Sequence, residues 1–177
     1  QPRRVFSAKD AFVRDCAFSP DSSTIYFLSD CGTGTDVWRA RRGVKSLAWW
    51  ENTGFACKRL TGDSESRTNL SVSPDGTMLA WGDCSGNVSV ASTNGSLLAL
   101  LPRDSTTRSY AWHPTSRMIA FAQRDSVANT DVWLARLPDL SLGKGRPVEI
   151  SRSDCQNVSR HWAWDGSPAF SPDGKLL

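Results

Sequence analysis

Short, wholly apolar stretches recur along the chain, each preceded by a polar turn. Aligned, Thr24-Ile25-Tyr26-Phe27-Leu28, Thr77-Met78-Leu79-Ala80-Trp81 and Arg117-Met118-Ile119-Ala120-Phe121 give columns that are apolar in every row. A strand with one wet face alternates apolar and polar residues, whereas a strand covered on both faces does not. The pattern therefore predicts strands sandwiched between neighbours, with Ala80 and Ala120 leaving room for a large side chain from the next unit. Helix periodicity is weak throughout.

The turns repeat as well. Phe18-Ser19-Pro20-Asp21-Ser22, Val72-Ser73-Pro74-Asp75-Gly76, Trp112-His113-Pro114-Thr115-Ser116 and Phe170-Ser171-Pro172-Asp173-Gly174 share one design, with prolines 54, 40 and 58 residues apart. Proline pre-sets φ at the second position of a type I turn, and a left-handed residue after it closes a three-residue hairpin. Glycine suits that last position. Ser22 and Ser116 stand there instead, at a cost of about 1–2 kcal/mol if the backbone is left-handed. A second phrase keeps the same step: Thr35-Asp36-Val37-Trp38 recurs as Thr130-Asp131-Val132-Trp133, and Asn87-Val88-Ser89-Val90 is its tryptophan-free copy.

Each unit lays out as four strands. The first strand precedes the turn: Arg14 to Phe18, Asn69 to Val72, Arg108 to Trp112, and Ala169-Phe170. The second is the apolar stretch and the third carries Asp-Val-Trp. The fourth is read as Cys57 to Leu60, Leu97 to Leu101, and Val148 to Ser151. Four-stranded meanders of about 40–50 residues, repeated and covered on both faces, are blades of a β-propeller. The fold class is all-β: about three complete four-stranded antiparallel blades plus partial blades at both ends. Residues 1–12 read as the outer strand of a preceding blade, with Arg3-Arg4-Val5-Phe6 as that strand. Residues 13–62, 63–103 and 104–152 read as blades, and 153–177 as the start of a further one. The chain opens with Gln1 and stops inside a fourth unit, so it is expected to be part of a longer protein, with Phe170 and Leu176 exposed at an open end.

Ala169-Phe170-Ser171-Pro172-Asp173-Gly174-Lys175-Leu176, the downstream Asp-Val-Trp strand and the strand end Lys58-Arg59-Leu60-Thr61 together resemble the WD-like propeller repeats of TolB-type proteins and the tricorn protease. Propellers of prolyl-oligopeptidase-like serine peptidases use the same style. The resemblance covers nearly the whole chain. The Gly-His dipeptide of classical WD repeats is missing. It implies a propeller that serves as a non-catalytic scaffold for protein or peptide interaction. The alternative it implies is the substrate-gating propeller of a larger serine peptidase, whose catalytic domain would lie outside this sequence.

Composition narrows this further. The net charge is +3, with 21 basic and 18 acidic residues interleaved. The densest basic cluster, Arg39, Arg41, Arg42 and Lys45, reads as a solvated outer strand rather than a nucleic-acid stripe. No apolar run approaches the ~18 residues of a membrane span. The five cysteines contain no C-x-x-C, which argues against zinc-ribbon and redox motifs. Cys31 and Cys84 hold matching positions in two units. No G-x-S-x-G, H-E-x-x-H or phosphate-cradling loop occurs, so no catalytic, cofactor or metal residue is assigned. His113 reads as a turn residue.

Two insertions remain. Gly43 to Phe55 contains Trp49-Trp50, and Ser153 to Ser167 contains His161-Trp162-Ala163-Trp164. Loops on rigid scaffolds often bind partners, and tryptophan is enriched at hot spots. Trp49, Trp50, His161, Trp162 and Trp164 are therefore the candidate partner-binding residues; the competing reading folds these rings back over blade edges. Strand direction places the first insertion at the Ser-Pro-Asp end and the second at the opposite end. Sequons occur at Asn69, Asn87, Asn94 and Asn157. Asn94-Gly95 is explained by a hairpin turn, which leaves Asn157 as the one expected in a long loop.

Overall fold

The computed structural model describes residues 12–30, 34–44, 46–52, 54–63, 65–102, 109–124, 129–139, 146–160 and 164–177. The expected strand Arg3 to Phe6, Cys31, Lys45, His161 and Trp162 lie outside them. The first sheet runs β1 (Val13–Phe18), β2 (Thr24–Ser29), β3 (Asp36–Arg42), β4 (Phe55–Arg59) in spatial order. The second runs β5 (Arg67–Val72), β6 (Met78–Asp83), β7 (Val88–Ser92), β8 (Leu97–Leu100). The third contains β9 (Ser109–Trp112), β10 (Met118–Arg124) and β11 (Thr130–Arg136). All neighbours within these three meanders are antiparallel.

Between the sheets lie two cores, built from the apolar runs; the turn hydrogen bonds set Thr24 level with Met78 and Met118, so the first run lies one residue out of the sequence alignment. Tyr26, Leu28 and Val37 of the first blade meet Leu70, Leu79, Trp81 and Ala91 of the second. Ala80, Val88 and Val90 on the other side of the second blade meet Ile119, Phe121 and Ala135 of the third. Successive side chains of a strand point to opposite faces. Leu79 and Trp81 thus serve one core and Ala80 the other, where it sits with the large ring of Phe121.

One strand is not where the sequence pattern put it. Val148 to Ser151 does not close the third sheet. β12 (Val148–Glu149) pairs in parallel with β8 of the second blade, Val148 opposite Ala99 and Glu149 opposite Leu100. Ile150 N–H donates to the Leu100 carbonyl at 2.9 Å, and its side chain enters the second core. The third sheet is closed by β13 (Cys155–Asn157) instead, after a short 3₁₀ turn at Arg152–Asp154. The physical reason is an apolar edge: Leu97-Leu98-Ala99-Leu100 would leave a row of backbone groups and leucines uncovered, and a Val-Glu-Ile segment covers both. Ala169-Phe170 forms no strand among the described residues. Leu176 is exposed as expected, but Phe170 is half-buried with its ring 4.8 Å from that of His113.

The turns form as predicted. The hydroxyls of Ser19, Ser73 and Ser171 donate to the carboxylates of Asp21, Asp75 and Asp173 at 2.6, 2.6 and 2.7 Å. Each hydroxyl also accepts the N–H on the far side of its turn, from Thr24, Met78 and Leu176. The Ser19 hydroxyl, helped by the Ser23 N–H, holds the Asp21 carboxyl down at about 2. In the third copy His113 Nδ1 accepts from Thr115 N–H at 3.1 Å, which leaves the ring proton on Nε2, 3.2 Å from the Gly174 carbonyl. The closing residue is left-handed in all four copies: Ser22 φ 54, Gly76 φ 72, Ser116 φ 58, Gly174 φ 72. Successive turns also touch. A Cβ on Gly76 would lie 3.1 Å from Pro20, and Asp75 N–H donates to Ser116 Oγ at 3.0 Å.

These contacts separate two substitutions. Ser22→Gly is expected to stabilise by about 1 kcal/mol, the relief of left-handed strain less the entropy of a new glycine. Ser116→Gly gains the same relief but loses the bond from Asp75, worth about 1 kcal/mol, and ends near neutral. Urea unfolding of the two variants checks this; equal gains would show that the Asp75 bond contributes nothing.

Candidate functional site

The first insertion is a built loop at the turn end of the first blade. It closes where Gly43 N–H donates to the Gly54 carbonyl at 2.9 Å, and a Cβ on Gly43 would sit 2.8 Å from that oxygen. Its centre is Asn52, a residue only 1% exposed. The Asn52 amide donates to the carbonyls of Val44, Leu47 and Ala48 at 3.1, 3.2 and 3.0 Å, and its Oδ1 accepts from Val44 N–H at 2.9 Å. Glu51 adds a carboxylate to Ala48 N–H at 2.9 Å. One side chain thus satisfies backbone groups that a loop without regular pairing would otherwise leave to water.

On this frame the two adjacent tryptophans take opposite roles. Trp49 folds back: its Nε1–H donates to the Ser22 carbonyl at 2.8 Å, its ring stacks on Phe55 at 5.5 Å and meets Phe18 edge-on at 5.5 Å. The Arg42 guanidinium lies 5.6 Å from the same ring and donates to Leu47 O at 2.9 Å. Trp50 points out and is 70% exposed; Val44 and Leu47 of the same loop, and Phe18 beside Trp49, are also exposed. Trp164 is 77% exposed. Its neighbour Asp165 donates its N–H to Thr130 O at the start of β11, the end of the blade opposite the Ser-Pro-Asp turns. It borders a cavity of about 540 Å³ with Val132, Val158, Ala169 and Leu177. Trp50 and Trp164 therefore lie at opposite ends of the blades and are not brought together.

Sequence reading passed over a second cluster, built on the aspartate of Thr-Asp-Val-Trp. The Asp36 side chain is buried; it pairs with Arg59 and accepts from Thr61 Oγ1 at 3.0 Å, while Thr61 Oγ1 accepts from Val37 N–H at 3.0 Å. Arg67, equally buried and reaching across from the second blade, lies 3.7 Å from Asp36 and pairs with Asp63 at 2.6 Å. It also donates to Thr35 O at 2.9 Å and lies 5.6 Å from the Trp81 ring. The copy in the third blade is neutral on the partner side: Asn157 donates to Asp131 at 2.6 Å, and Ser159 Oγ accepts from Val132 N–H at 3.0 Å. The signal was present in Arg59-Leu60-Thr61 against Asn157-Val158-Ser159, each following an Asp-Val strand. Asn157 accordingly stands on a strand and not in a long loop, which corrects the reading of that sequon. Asn87 is likewise engaged, donating to Asp83 at 2.6 Å.

Chemically, these groups hold the blades. Both His113 nitrogens are used inside the row of turns. Burial pushes the Cys155 thiol up to about 11, with the Asp154 charge adding to it, and burial also raises Cys57, so neither is poised as a thiolate. Among the described residues no three His, Cys, Asp or Glu side chains gather as a metal site, and no helix is long and apolar enough to cross a membrane.

No protein-family model and no curated protein matches this sequence. Solved structures do. The tricorn protease superposes with a TM-score of 0.64 at 12% identity, over 92% of this chain and 14% of that one. Sqt1 of Saccharomyces cerevisiae gives 0.52 at 17% identity, over 81% of this chain and 35% of that one. TolB of Acinetobacter baumannii matches at 20% identity over 99% of this chain and 50% of that one, with a TM-score of 0.46 that adds nothing to the fold assignment. The chain thus spans half or less of each of these proteins. At these identities the likeness is one of fold, the stacked four-stranded blades of a β-propeller.

Proposed function

We propose that the chain is a non-catalytic propeller scaffold that binds a protein or peptide through the surface around Trp50. The observation that carries this reading is the pairing of an exposed indole with an immobilised frame. Trp50 stands in water while its neighbour Trp49 is bonded and stacked, and Asn52 fixes the loop beneath both. A bare indole is costly to leave wet, and a pre-ordered one loses little freedom on binding. Such aromatic anchors dominate interface energetics. Exposed Val44 and Leu47 of the same loop, and Phe18 against Trp49, suit apolar side chains of the partner. Among the described residues, the engagement of both His113 nitrogens and the raised thiols of Cys57 and Cys155 support a role without catalysis.

The test is peptide-library panning on the intact chain. Trp50→Ala is expected to weaken the selected peptides by about tenfold or more, with the unfolding midpoint unchanged because the ring touches little. Undiminished binding by Trp50→Ala would overturn the site. Turnover of peptide or ester substrates, lost on changing one serine, would overturn the non-catalytic reading.

A further inference from the structure

The outer edges of the three described blades are treated differently. In the second blade the edge strand β8 is covered by the chain's own β12, added in parallel. In the third, the edge strand β13 has only three residues. In the first, β4 has five residues, pairs only with β3 among the described strands, and is exposed from Ala56 to Arg59. An uncovered strand edge is a row of backbone donors and acceptors that an extended segment can join.

The side chains beside this edge have one sign. Register pairs Arg39 with Lys58 and Arg41 with Ala56. By strand alternation Arg39, Arg41 and Lys58 therefore share one face. No carboxylate of the described residues lies within ion-pair distance of any of the three. The Nε of Arg39 is buried with no acceptor among the described residues. In the second blade, Val90 and Ala99 occupy the positions of Arg39 and Lys58. The edge covered from within is apolar, and the uncovered one is basic.

We propose that the edge of β4 is a docking site for an extended acidic segment of a partner protein. The segment adds as a fifth, parallel strand in the register that β12 takes on β8. Its residue at the position of Val148 falls opposite Lys58, and carboxylates there and two residues away face Lys58, Arg39 and Arg41. Main-chain pairing supplies affinity, and the basic row supplies the choice of partner. The proposal rests on the reading of the chain as a peptide-binding scaffold but uses the backbone edge and basic row of β4 in place of the Trp50 ring, so Trp50→Ala distinguishes the two.

The experiment uses the intact chain and a short labelled peptide of alternating Val and Glu, at neutral pH. Anisotropy is expected to report binding, and hydrogen exchange is expected to slow at Phe55–Arg59. N-methylation of alternate peptide nitrogens should weaken binding by about tenfold, through loss of main-chain bonds. Lys58→Glu should weaken it by about fivefold, and Trp50→Ala should leave it unchanged. The proposal is overturned by equal affinity for a Val-Lys peptide, by unchanged exchange at β4, by indifference to N-methylation or to Lys58→Glu, or by loss of binding in Trp50→Ala. Unchanged exchange would mean that Lys58 guards the edge against pairing.

Discussion

Asp36→Ala is expected to destabilise the protein by about 3–5 kcal/mol, because it leaves a buried guanidinium without part of its compensation. Arg67 and Asp36 are both almost wholly inaccessible, and Arg67 belongs to the neighbouring blade. Removing the carboxylate also frees Thr61, whose hydroxyl holds the Val37 N–H, and Arg59 at the end of β4. Asp131→Ala should cost less, about 1–2 kcal/mol, since the partners it deserts are neutral. Urea unfolding of the two variants is the measurement. Equal losses would show that the charge on Arg67 is not what makes Asp36 necessary.

Asn52→Ala is the second large effect, expected at about 2–3 kcal/mol from four lost hydrogen bonds. Its signature is local. Exchange should accelerate across residues 43–54, and affinity at Trp50 should fall although Trp50 itself is intact. Asn52→Asp keeps the acceptor for Val44 N–H but loses the three donated bonds. It should lie close to alanine. A variant that loses stability while peptide binding is unchanged would separate the frame from the function proposed for it.

The blades were legible because strand alternation and turn chemistry act over a few residues. Apolar runs such as Tyr26-Phe27-Leu28, Leu79-Ala80-Trp81 and Ile119-Ala120-Phe121 record burial on both faces. The left-handed φ of Ser22 and Ser116 follows from their place in the proline phrase. The outer strand of the third blade was misplaced because Glu149-Ile150-Ser151 and Asn157-Val158-Ser159 both offer an apolar residue followed by a hydroxyl. Only the apolar edge of β8 decides between them, and that edge belongs to another unit. Asn52 left no trace because an amide gathering carbonyls inside a loop has no period. The same lack of a period hid which of Trp49 and Trp50 would turn inward.

The strap made by β12 has a mechanical consequence. The segment belongs to the third unit by order but is hydrogen-bonded to the second, and Ile150 is packed between them. The third blade cannot complete its outer strand until the chain has first travelled out to its neighbour and returned. Assembly of these two blades is therefore coupled, and a stretching force would have to shear β12 from β8 before the second and third blades could part. The first blade has no such tie among the described strands; it meets the second through side chains, turns and a backbone bond from Thr35 N–H to Glu65 O at 2.9 Å.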